Sequence, residues 1–123
     1  MVSLTPHPIE GTWSPFKAEL AGENAPDMAL AKMGFVIRAG SYAFSFGGET
    51  TDEGSYTLST SEGFQIITLV SLRGTNAGKT IPSIYQLTGD RLRICFGLGG
   101  TTPTRFTAAA GTSHYLVSYR RNA

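Results

Sequence analysis

Few side chains in this chain can do chemistry, and their spacing decides of what kind. The 123 residues include two histidines, one cysteine and five tyrosines. His7 lies in a Pro-flanked N-terminal segment and His114 opens the last strand-like run, so pairing of the terminal strands would bring them together. No Cys or acid stands beside them to complete a ligand set, which argues against a metal site. Cys95 alternates with Arg93 and Gly97 on what reads as an outer strand face. A neighbouring arginine favours thiolate, but a nucleophile also needs a base that the sequence does not supply. Glu49, Asp52 and Glu53 lack calcium-loop spacing and read as a solvated hairpin tip. Residues 74–80 (GTNAGKT) tempt a phosphate-loop reading, yet only three residues separate the glycines and Ile81-Pro82 follows instead of a helix. A hairpin turn explains them. Residues 97–100 (GLGG) lack dinucleotide-binding spacing and read as a barrel-rim loop.

The tyrosines carry more. Tyr42, Tyr56, Tyr85 and Tyr115 each offer an apolar body with one hydroxyl, the usual lining of a pocket that holds an apolar ligand and orients it by a few hydrogen bonds. Phe44, Phe96 and Phe106 share strand parity with other apolar positions and complete the candidate wall. No cofactor motif is present, and no residue is assigned a catalytic role.

These side chains need strands to position them. Aromatic and β-branched runs cover residues 8–20, 34–39, 41–47, 54–60, 64–73, 80–87, 91–98, 104–109 and 114–121. Gly-rich turns separate them, including one from Gly47-Gly48 through Glu53, and short connections imply antiparallel neighbours. Alternation sorts the faces: Tyr42, Phe44 and Phe46 against Ala43 and Ser45; Leu92, Ile94 and Phe96 against Arg93 and Cys95. The expected fold is all-β, an eight-stranded (eight to nine) antiparallel up-and-down barrel with an apolar inside. Trp13 near the first strand and Arg120-Arg121 at the end of the last can stack only if those strands meet. Residues 64–72 are apolar on both faces, so they are expected to face a partner subunit or lie under a helix. One helix of two to three turns is expected over residues 24–33, with Asn24 as cap, Pro26 in the first turn and Gly34 as stop.

Composition fits one domain spanning residues 1–123: 41% hydrophobic and 15% charged residues, with a mean hydropathy near zero. Residues 1–90 carry five cations against nine acids, whereas residues 91–123 carry five arginines and no acid. The arginines are widely spaced within strands, so they read as a charged exterior facing acidic neighbours and not as a nucleic-acid surface. No apolar run approaches the roughly 18 residues of a membrane span, and residues 1–6 lack the basic start and apolar core of a leader. A single cysteine removes any internal disulfide. A cytoplasmic protein is expected.

Residues 9–13 (IEGTW), Gly40 before Tyr42, Gly78-Lys79-Thr80 with Ile84-Tyr85, Gly89-Asp90, Leu92 to Cys95-Phe96, Pro103-Thr104 with Phe106, and a closing Arg form an ordered set of cues along nearly the whole chain. In these the chain resembles the lipocalin-like small domain family of planctomycete and acidobacterial proteins, which has no assigned function. Thr68 and Arg105 depart from that pattern, standing where acids are expected. The resemblance implies a lipocalin/calycin-like barrel whose Gly-x-Trp start packs at a closed end against a cation from the last strand, with a cavity for one small apolar ligand. The expected function is non-catalytic binding of such a ligand, with the helix and residues 97–103 at the mouth. The alternatives are a barrel enzyme, an isomerase or cyclase acting on an apolar substrate, and a filled-core interaction module that pairs as a homodimer through residues 64–72. A sizeable cavity excludes the filled module; a hydroxyl and an arginine converging inside would favour the enzyme.

Overall fold

The computed structural model describes residues 7–122; the leader reading of residues 1–6 lies outside them. Nine strands and one helix follow in chain order: β1 (Gly11–Leu20), β2 (Glu23–Asn24), α1 (Asp27–Leu30), β3 (Met33–Arg38), β4 (Ser41–Phe46), β5 (Glu49–Ser61), β6 (Phe64–Gly74), β7 (Thr80–Thr88), β8 (Arg91–Gly97) and β9 (His114–Arg121). Each strand from β3 to β9 pairs antiparallel with the next, β1 pairs with β3, and β1 pairs with β9 to close an eight-strand barrel. β2 is a two-residue extra strand beside β1. This architecture fits a lipocalin-like barrel.

Closure follows from the alternation. Cross-strand pairs such as Phe35 with Phe44, Leu69 with Ile81, Ile94 with Val117 and Val117 with Ala18 put apolar residues on one continuous inner surface. Phe35, Ile37, Ile67, Leu69, Ile94 and Val117 are essentially inaccessible, and each fully buried side chain of this size stabilises the fold by about 1.5–3 kcal/mol. The strand ends at Leu20, Met33, Phe46, Ile81, Phe96 and Tyr115 define an open mouth. Trp13, Ile37, Leu92 and the N-terminal Ile9 close the opposite end.

The structure departs from the sequence expectations in five places. The helix spans only Asp27–Leu30: Asn24 is drawn into the β1–β2 ladder opposite Glu19, Pro26 occupies the cap position with no side-chain hydrogen bond, and Met33 already pairs with Phe46. No strand forms at residues 104–109. With β8 paired to β9 and β9 to β1, no edge remains along that seam to receive one. The segment instead crosses the outside of the barrel, where Ala108 is buried and its carbonyl accepts from the Gly22 amide. The β4–β5 turn shrinks to Gly47-Gly48, both at positive φ (62° and 87°) as a two-residue hairpin turn requires, so Glu49 to Glu53 belong to the strand. The helix packs on β1, leaving Val70 and Leu72 on the outer face of β6 exposed. His7 and His114 lie at opposite ends, because β1 and β9 pair antiparallel.

No helix is long and apolar enough to cross a membrane. Among the described residues no three His, Cys, Asp or Glu side chains gather closely enough to hold a metal ion.

Candidate functional site at the open end of the barrel

Phe35 centres a packed aromatic layer inside the barrel, stacked on Phe44 at 4.3 Å between centroids and tilted against Tyr119 at 5.3 Å. Tyr42 and Phe96 meet its edges, both at 6.4 Å. Above this aromatic layer a cavity of about 350 Å³ opens toward the mouth. Phe44, Leu69, Ile81, Phe96, Tyr115 and Tyr119 supply apolar wall, with Leu20, Met33 and Leu98 toward the strand ends. Thr51, Asp52, Thr75 and Asn76 make one side polar.

Asp52 is the residue that sequence reasoning missed. It is 3% exposed, although it belongs to a stretch that reads as a solvated hairpin tip. Two register shifts bracket it. Between Phe44 and Ser45 on β4 the partner on β5 jumps from Asp52 to Thr50, and between Glu53 and Gly54 the partner on β6 jumps from Arg73 to Ser71. The extra residues are Thr51 on β5 and Leu72 on β6, and Asp52 faces inward because it shares the parity of Gly54, Tyr56 and Leu58 on β5. Gly54 permits the second shift: a Cβ there would collide with the Val70 carbonyl. The Ser71 hydroxyl (2.6 Å) and the Asn76 backbone N–H (3.1 Å) donate to Asp52 Oδ1, and the Tyr42 hydroxyl (3.1 Å) donates to Oδ2. Glu53 behaves as a surface acid, paired with Arg73 at 2.8 Å. An acid in the inward parity of Tyr56 and Leu58, two residues before Gly54, was the available sequence signal.

Burial chiefly pushes the Tyr42 phenol up to about 12; the Ser71 hydroxyl, next in size, pulls the other way, and the Asp52 carboxylate adds to the rise. Tyr42 therefore keeps its proton and acts as a donor. Burial also raises Tyr115, whose hydroxyl lies 4.0 Å from Met33 Sδ beside the mouth.

The seven wall candidates separate into four groups. Phe44, Phe96 and Tyr115 line the cavity, with Phe96 and Tyr115 stacked at 5.8 Å. Tyr42 sits one layer deeper and reaches the site through Asp52. Tyr56 and Tyr85 stand toward the closed end, where burial raises both phenols and the Glu10 carboxylate adds to the effect on Tyr56. Phe106 lies outside the barrel, its ring 4.1 Å from the Arg93 guanidinium, because residues 104–109 form no strand. Cys95 is buried beneath the same segment: its thiol donates to the Thr107 carbonyl at 3.4 Å, and burial pushes its pKa up, the reverse of an activated nucleophile.

The group that meets a buried tyrosine hydroxyl is thus a carboxylate. Arg121 lies at the closed end, its guanidinium over the Trp13 ring. Residues 74–80 form the β6–β7 turn, in which the Asn76 backbone N–H is already committed to Asp52 and that of Gly78 to the Ser71 carbonyl. Comparison with protein-family models, curated proteins and solved structures returns no match for this chain.

Proposed function

We propose that the protein binds a small apolar or aromatic molecule at the open end of its barrel, without catalysis. The observation that carries this is the cavity of about 350 Å³ walled by Phe44, Leu69, Ile81, Phe96 and Tyr115. It lies within the range of about 300–1,000 Å³ found for ligand pockets, and it has their usual make-up of apolar walls with a few convergent polar groups. The resemblance to lipocalin-like small domains points the same way. Phe44, Phe96 and Tyr115 would contact the ligand, and Tyr42 would act from the layer beneath. A cytoplasmic setting suits the single cysteine, which can form no internal disulfide.

An environment-sensitive apolar dye is the test. It should brighten on binding, be displaced by fatty or aromatic competitors, and alter the emission of a Phe44→Trp variant. A dye that stays dark, with no response from the new indole to any competitor, would remove the proposal.

A second role, pairing of two copies through the outer face of β6, is favoured by Val70 and Leu72, which are 37% and 65% exposed. Sedimentation equilibrium tests it: Leu72→Glu should abolish any dimer, and a monomer at high concentration in the unaltered chain would remove this role.

A further inference from the structure

Asp52 is a buried carboxylate without a counter-ion. Among the described residues the ion pairs join Arg73 to Glu53 and Arg121 to Asp90, and none reaches Asp52. Its three hydrogen-bond donors, Ser71, Asn76 and Tyr42, are all neutral. Buried charges in proteins are as a rule paired, because neutral donors only partly replace the hydration lost.

The two oxygens are used differently. A carboxylate offers about four acceptor positions, two to each oxygen. Oδ1 takes both the Ser71 hydroxyl and the Asn76 backbone N–H, which fastens the 74–79 turn to the barrel wall and completes that oxygen. Oδ2 takes only the Tyr42 hydroxyl. One acceptor position remains, on a residue that forms part of the cavity wall. Tyr42, held protonated by burial and by the carboxylate itself, spends its proton on Asp52. The polar side of the cavity thus presents negative charge and an acceptor. The rest of the wall is apolar, with Phe44, Ile81 and Phe96 among it, and the water it excludes strengthens any interaction with that charge. An anionic head group would be repelled, a neutral donor would satisfy the hydrogen bond alone, and a cationic donor would supply both bond and charge.

Building on the ligand-binding function above, we propose that the cavity selects an aromatic or apolar molecule carrying one protonated amine, whose ammonium donates to Asp52 Oδ2 while its ring lies against Phe44, Phe96 and Tyr115. Asp52 is then the specificity-determining residue, and Ser71 and Tyr42 are positioning residues.

Titration calorimetry with three probes of one shape tests this: 1-naphthylmethylamine, 1-naphthylmethanol and 1-naphthoate, against the unaltered protein and Asp52→Asn. The amine should bind at least about ten-fold tighter than the alcohol, as a charge-assisted hydrogen bond implies, with naphthoate weakest. In Asp52→Asn that preference should vanish, because the amine loses much more affinity than the alcohol. Equal affinities for amine and alcohol in the unaltered protein, or an amine preference that survives Asp52→Asn, would overturn the inference and leave the ligand-binding function standing. If neither amine nor alcohol binds the unaltered protein, the ligand-binding function falls and this inference with it. Should Asp52→Asn fail to fold, as judged by Trp13 emission, the ranking of the three probes on the unaltered protein decides.

Discussion

The Arg121 guanidinium lies 4.3 Å from the Trp13 ring, while its terminal nitrogens each donate at 2.7 Å to backbone carbonyls of Glu10 and Pro8. One side chain from the last strand thereby stacks on the plug of the first strand and holds the segment leading into it. The indole nitrogen donates to the Ile9 carbonyl, so the segment is fastened from both sides.

Trp13→Ala should therefore cost about 3–5 kcal/mol, since it empties a fully buried site and removes the surface on which Arg121 rests. Arg121→Lys keeps the charge but loses the planar stack and the paired donors, and should cost about 1–3 kcal/mol. Urea denaturation measures both. A loss below about 1 kcal/mol for Trp13→Ala would mean that the indole is no plug.

Gly54→Ala should destabilise by about 1–3 kcal/mol, because the new methyl meets the Val70 carbonyl and the β5–β6 ladder has to open to admit it. The same variant should weaken dye binding by shifting Asp52. Unchanged stability would show that the bulge relaxes freely.

All five tyrosines have raised pKa values, with burial the leading cause in each; Tyr42 reaches about 12 and Tyr119 lies well above the usual phenol value. The folded state holds these protons more tightly than the unfolded chain, whose phenols titrate near 10. Stability is thus fully present below pH 10 and falls as pH rises from 10 toward 12, where unfolding releases protons. Phenolate absorbance should rise late and together with loss of the strand signal in circular dichroism. Tyrosines that ionise near pH 10 in a protein still folded would contradict this.

Cys95, the chain's one cysteine, should react slowly with a disulfide reagent in the native protein at pH 8, at a rate set by opening of residues 104–109, and at once in denaturant. Phe106→Ala removes the stack on Arg93 and should speed the native reaction without unfolding the barrel. An immediate reaction of the unaltered protein would show that the segment does not cover the thiol.

The barrel, its closure and the Trp13–Arg121 stack were legible in the sequence, because period-2 alternation and strand order are local properties and a sheet with one apolar face has few ways to bury it. Phe44, Phe96 and Tyr115 on the cavity wall follow from the same parity. What the alternation could not supply was height along the barrel axis: Tyr56 and Tyr85 share the inward parity of Phe96 but lie toward the closed end, so parity alone merged two ends of one interior. Phe106 was misplaced because strand propensity is fulfilled only where a sheet edge is open, and the β8–β9 and β9–β1 ladders leave none. The helix shortened for a related reason, its ends being taken by pairing of Asn24 with Glu19 and of Met33 with Phe46. Asp52 shows the limit most sharply. Its parity with Tyr56 and Leu58 pointed it inward, but only the approach of Ser71, Asn76 and Tyr42 from other parts of the chain supplies the donors that turn a hairpin acid into a buried carboxylate.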